Sequence, residues 1–164
     1  MRRSVSKILG TPFTESINHK VFKPDQKILA LWALDCAEHV LPYFEEKHHD
    51  DIRPRNAILV LRNWLTTGEF SMKVIRIASL EAHASAKGKK ELDAIFAAHS
   101  AGQAVATAHV ATHAFGSSVY GIRAVVAHSG NVEDSVKELN WQLRRLRKYA
   151  RSRNECLVHD STMS

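Results

Sequence analysis

From Pro24 to about Arg151 the chain keeps placing apolar residues three and four positions apart, and little interrupts the pattern: only seven of 164 residues are glycine and four are proline. A period of this kind buries one face of a helix, whereas no alternating β-branched run bounded by turn residues occurs. The expected fold is all-α, a single compact bundle of about six helices with antiparallel neighbours. A chain of this length buries about 68–70% of its unfolded surface, enough for a core without metals or disulfides. Small residues at Ala97, Ala98, Ala101, Gly102, Ala104, Ala106, Ala108 and Ala111 let helix axes approach closely, so the helix that carries them is expected at the centre.

The few punctuating residues set the boundaries. A first helix is expected from Pro24 to about Lys47, with a kink or an early end near His39 to Leu41 imposed by Pro42. Pro54 and Gly68 bracket a second helix, and the Ser71 cap and Gly88 bracket a third. The pattern from Lys90 to Ala127 is too long for one helix and is broken near Phe115-Gly116. The last helix runs from Asn131 to about Arg151, its stripe of Val132, Val136, Leu139, Leu143, Leu146 and Ala150 packing on the core. This gives an irregular basic segment over 1–23, a helical domain over 24–151 and a flexible tail over 152–164.

Charge narrows the functional classes. The net +6 is concentrated at the two ends, residues 1–27 and 137–153, while residues 28–136 are slightly acidic. Basic character is thus peripheral, and nucleic-acid binding, which would use residues 137–153, is the least favoured reading. No apolar run approaches the ~18 residues that span a bilayer, so no membrane partner is expected. Cys36 and Cys156 lie far apart in different contexts, which argues against a disulfide framework and for a reducing cytoplasm.

Polar residues on apolar faces are the candidates for function. His99, Gln103, His109 and His113 fall within an arc of about 120°, with Thr107 at its edge. They read as half-buried groups bonded to neighbouring helices, as part of a ligand pocket, or as a metal set of His99, His109 and His113; a zincin would need Glu after the first histidine, where Val110 stands. On the first helix Trp32, Asp35, Cys36, His39 and Val40 share a stripe, and Asp35 there needs a partner, Arg53 or Arg55, or a bond to His39. Glu38 lies off the stripe and is expected in solvent. Asp50, Asp51, Arg53 and Arg55 form a charge cluster whose arginines oppose the helix dipole and so call for carboxylates, within the fold or on a partner. No nucleophile elbow or phosphate loop is present.

Several ordered motifs carry a resemblance: residues 31–38 (LWALDCAE), residues 51–58 (DIRPRNAI), Trp64 with Gly68-Glu69, residues 81–84 (EAHA), residues 101–110 (AGQAVATAHV), His113-Ala114 and Tyr120. Over about residues 28–128 the chain resembles the immunity-five-like family of bacterial immunity proteins from polymorphic toxin systems. The resemblance implies an all-α cytoplasmic protein that binds and neutralises a cognate toxin without catalysis and needs no cofactor; a homodimer is a separate expectation. Ser79, Ser85 and residues 73–75 (KVI) depart from the family pattern. The rival readings are a small metal-assisted hydrolase built on the histidines, and nucleic-acid binding by the last helix. The binding set expected under the leading reading is Trp32, Asp35, Asp51, Arg53, Arg55, His83, Gln103, His109 and His113, with Trp32, Asp35, Arg53 and the His83 to His113 group converging on one pocket or groove.

Overall fold

The computed structural model describes residues 25–161, and their side chains as far as Ser152. The expected irregular segment 1–23 lies outside the described residues. Six helices, α1 (Gln26–Glu45), α2 (Arg53–Thr67), α3 (Met72–Ser85), α4 (Leu92–Ala106), α5 (His113–Ser129) and α6 (Asp134–Ser161), are joined by short connections. The bundle is all-α.

Local chemistry explains most ends. Asp25 Oδ1 accepts the Lys27 N–H at 2.8 Å and caps α1. Gly68 and Gly130 close α2 and α5 in the left-handed conformation, at φ 74° and 69°. The Ser71 hydroxyl accepts from the Val74 N–H at the start of α3. Helix α1 continues through Pro42 instead of ending before it. Pro42 stands on the solvent side within the last turn, and the fully buried Leu41 and Phe44 beside it hold that turn on the core.

The long helical stretch breaks at Thr107–Thr112, not at Phe115-Gly116. Gln26 Nε2 reaches across from α1 and donates to the carbonyls of Thr107 and Ala108, both at 2.9 Å, so the end of α4 is satisfied by a residue 81 positions away. Gly116 lies inside α5, where a Cβ would stand 2.6 Å from Gln103 Oε1. Its role is to let α5 approach α4.

Helix α4 is the centre, packed by α1, α2, α3 and α5. Its Ala94, Ala97, Ala98, Ala101 and Ala104 are fully buried, and Trp32, Leu41, Ile58 and Leu61 fill the space around them. Burial pushes the Cys36 thiol well above its usual pKa. Helix α6 departs from its expected stripe. Val132 and Val136 are 74% and 59% exposed, and the residues sealed against the core are Glu138, Gln142 and Ala150, with Arg145 and Tyr149 half-buried beside them. Spacings of four, three and four from Glu138 to Tyr149 make a polar seam. The helix also runs past its expected end near Arg151, into the segment read as tail.

Candidate functional site

The polar seam of α6 meets the stripe of α1. Trp32, fully buried, donates from Nε1 to the Gln142 carbonyl at 2.8 Å and sets its ring edge-on to Phe115. Asp35 Oδ2 accepts from Arg145 Nε and from the Tyr149 hydroxyl, each at 2.6 Å. Its partner is therefore Arg145, not Arg53, Arg55 or His39. His39 pairs with Glu138 at 3.0 Å and stacks on Trp141. Burial and the bond to Asp35 push the Tyr149 pKa up to about 12, and the bond to Glu138 raises that of His39. These contacts fasten α6 to α1.

The charge cluster is likewise consumed locally. Arg53 makes a two-pronged pair with Asp51 at 2.8 and 2.6 Å, and Arg55 does the same with Glu45, both bonds at 2.7 Å. The bonds from Arg53 hold the Asp51 pKa below its usual value. Glu38, expected in solvent, is held by Arg62 across the α1–α2 contact. Trp32, Asp35 and Arg53 thus bond to Gln142, Arg145 and Asp51, and no hydrogen bond among the described residues joins them to one another or to the histidines.

The histidines do assemble. His83 from α3 and His99 from α4 face one another with Nδ1 atoms 2.8 Å apart, one ring donating to the other. Gly102 makes room for this, since a Cβ there would stand 2.8 Å from His83 Nε2. One turn on, Gln103 Oε1 accepts from His113 Nδ1 at 2.7 Å, and His113 packs on His109 with ring centroids 5.3 Å apart. Tyr120 lies against His99, and Arg123 covers the Phe96 ring at 4.4 Å. A recess of about 350 Å³ opens at the His83 end, bounded by Leu80, Ala84, Ala86, Lys87 and His99.

Burial disfavours the charged form of His83, His99 and His113. Burial lowers the His83 pKa to about 4, assisted by the charges His99 and His113 would carry. Burial also lowers His99, with Arg123 adding to the effect, and lowers His113, with His109 adding. Among the described residues no carboxylate bonds to any of these rings, and no three His, Cys, Asp or Glu side chains come together as metal ligands. His99, His109 and His113 do not form the expected triple, because His99 turns to His83 while His113 turns to Gln103. The row supplies ring donors, acceptors and stacking faces. His109 Nδ1 is buried and has no partner among the described residues.

One network lay outside the sequence candidates. Asp93, in the first turn of α4 and 7% exposed, accepts from Lys47 Nζ and from His128 Nδ1, and His128 stacks on Tyr43. Burial alone would raise the Asp93 pKa, but the bonds from Lys47 and His128 outweigh it and hold it low. Its signal in sequence was an acidic residue near a helix start, which ordinarily marks only the dipole.

The motifs that carry the resemblance sit in these packed networks: Trp32 and Asp35 in the α1–α6 seam, Gly102, Gln103, His109 and His113 along the histidine row. A family model described as Imm-5 like putative immunity protein matches residues 19–149. The chain belongs to this family. Membership extends the similarity seen over residues 28–128 into α6, so the Asp35 partners Arg145 and Tyr149 fall inside the Imm-5 like region. No curated protein and no solved structure gives a significant match. Among the described residues no helix of this Imm-5 like chain is long and apolar enough to cross a membrane.

Proposed function

We propose that the chain binds a cognate bacterial toxin and neutralises it by occupying its surface, without catalysis, in the cytoplasm of the cell that makes both. The family match over residues 19–149 carries this reading. The contact set we assign is His83, Gln103, His109 and His113, one half-buried row in which His83 bonds to His99 and Gln103 to His113, while Trp32, Asp35, Asp51, Arg53 and Arg55 serve the contacts between helices and at the start of α2. The Nδ1 of His109 is buried without a hydrogen-bond partner among the described residues, at a cost of about 1–3 kcal/mol, and the half-buried ring would relieve it by turning that atom toward a bound toxin.

The test is coexpression with the toxin encoded beside its gene. Expected results are restored growth, a complex that survives gel filtration, and loss of both in His109→Ala with the unfolding midpoint retained. A chain that neither binds nor protects would overturn the proposal; a His109→Ala protein that loses stability alone would overturn the site.

A further inference from the structure

Helix α3 has an outer face that the bundle leaves uncovered. Ile75, Ala78 and Ala82 are buried against α2 and α4, while Val74, Ile77 and Leu80 stay 49%, 45% and 58% exposed, with Phe70 just ahead of the helix at 52%. Exposed apolar residues scattered singly need no explanation, but three along one edge of α3 with Phe70 just ahead of them form a patch of the kind that meets a partner.

The order of residues on this face indicates which partner. Counting outward from Ile77, the third residue on either side is apolar, Val74 and Leu80, and the fourth on either side is charged with opposite sign, Lys73 and Glu81. Both charged side chains are exposed, and neither enters an ion pair among the described residues, although the Glu81 charge is felt by Arg53. A two-fold axis crossing the helix at Ile77 brings each residue before it level with the residue equally far after it on the other copy. Apolar then meets apolar, and Lys73 meets Glu81 of the partner subunit at two symmetric places. A parallel pairing would instead set lysine on lysine and glutamate on glutamate.

We propose that a second copy of this chain docks antiparallel along α3, with Ile77 on the two-fold axis and reciprocal Lys73 to Glu81 pairs fixing the register. Such an interface is isologous, the same patch used twice. Polar pairs inside an apolar helix seam select register and orientation while adding little affinity. Helix α3 has 14 residues and so is about 21 Å long. One helix pair of that length falls below the ~800 Å² per partner of a standard interface, so the dimer is a weak, reversible one. The inference does not depend on toxin binding.

Sedimentation velocity of the full chain from about 1 to about 200 μM tests it. The expected result is a monomer–dimer equilibrium that Ile77→Glu, Lys73→Glu and Glu81→Lys each abolish, and that an equimolar mixture of the two charge variants restores. Lys73 and Ile77 face solvent in the single copy, so circular dichroism and the unfolding midpoint of Lys73→Glu and Ile77→Glu should be unchanged, while Glu81→Lys, near Arg53, should keep the same circular dichroism. A wild-type chain that stays monomeric throughout, a dimer that survives Ile77→Glu, or a charge-variant mixture that stays monomeric would each overturn the proposal.

Discussion

Arg145 Nε stands 2.6 Å from Asp35 Oδ2 although 110 positions separate them, and the Tyr149 hydroxyl closes on the same oxygen. The pair decides how the longest and most basic helix sits. Arg145 turns inward to a carboxylate on α1, whereas Arg144, Arg147, Lys148 and Arg151 line an outer groove with Ser152. With side chains 35% and 14% exposed, the pair lies between a surface salt bridge and a buried one.

Asp35→Ala should therefore cost more than the ~1 kcal/mol of an exposed pair and less than the ~3–5 kcal/mol of a buried one, about 2 kcal/mol in urea unfolding. Tyr149→Phe, which removes one bond to the same oxygen, should cost about 1 kcal/mol. If Asp35→Ala leaves the midpoint unchanged, the seam does not hold α6.

Gln142 is fully buried and works at both ends: its Oε1 accepts from the Ser118 hydroxyl, and its Nε2 donates to Glu138 at 2.8 Å. Gln142→Leu fits the space but strands both groups, at about 1–3 kcal/mol each. Thermal unfolding should show a clear drop, larger than that of Leu139→Ala on the half-buried flank.

Gly116→Ala runs against helix propensity. Alanine inside a helix is worth about 1 kcal/mol over glycine, yet here the added Cβ would lie 2.6 Å from Gln103 Oε1. The expected outcome is net destabilisation and a disturbed His113 ring, read by the shift of its imidazole resonances. A stabilised protein would show that α4 and α5 are less tightly apposed.

The histidine row gives stability a pH dependence. In the unfolded chain these rings take a proton near pH ~6.5, whereas burial lowers the folded pKa of His83 to about 4 and also lowers His99 and His113. The unfolded state therefore binds more protons below that point, and stability, complete above it, falls as the pH drops toward the folded values. His39 acts oppositely: its bond to Glu138 raises its pKa, so its contribution is present at low pH and is lost as the pH rises through the raised value. His83→Gln keeps a hydrogen-bonding group without the titration, so the fall in urea midpoint between neutral pH and pH ~5 should shrink. An unchanged fall would remove His83 as its source.

Helix boundaries written in local chemistry were legible. Pro54, Gly68, Ser71 and Gly130 each act through neighbours a few positions away, and the structure places helix ends where they stand. The break after α4 was not legible, because Gln26 supplies its cap from another helix, while Gly116 resembled a break and serves a close approach. For Asp35, sequence showed that a partner was required, but nearness along the chain pointed to Arg53 and Arg55, which Asp51 and Glu45 already occupy. Of the apolar stripe on α6, Leu146 and Ala150 pack on the core as expected while Val132 and Val136 stay exposed, because the same three-and-four spacing is shared by Glu138, Gln142, Arg145 and Tyr149, whose polar ends find partners only once α1 is beside them. The histidines were grouped by angle on one helix, yet α4 ends at Ala106, so His109 stands in the break and His113 starts α5; they come near one another through the α4–α5 turn, and His83 meets His99 from α3.

The most direct test of toxin neutralisation is a titration of purified chain into the activity assay of the toxin encoded beside its gene. Blockade predicts that inhibition rises linearly and saturates at one chain per toxin, and that the toxin regains activity when the complex is separated under denaturing conditions and refolded. Inhibition complete at a small fraction of the toxin concentration, or absent at a large excess, would contradict the account.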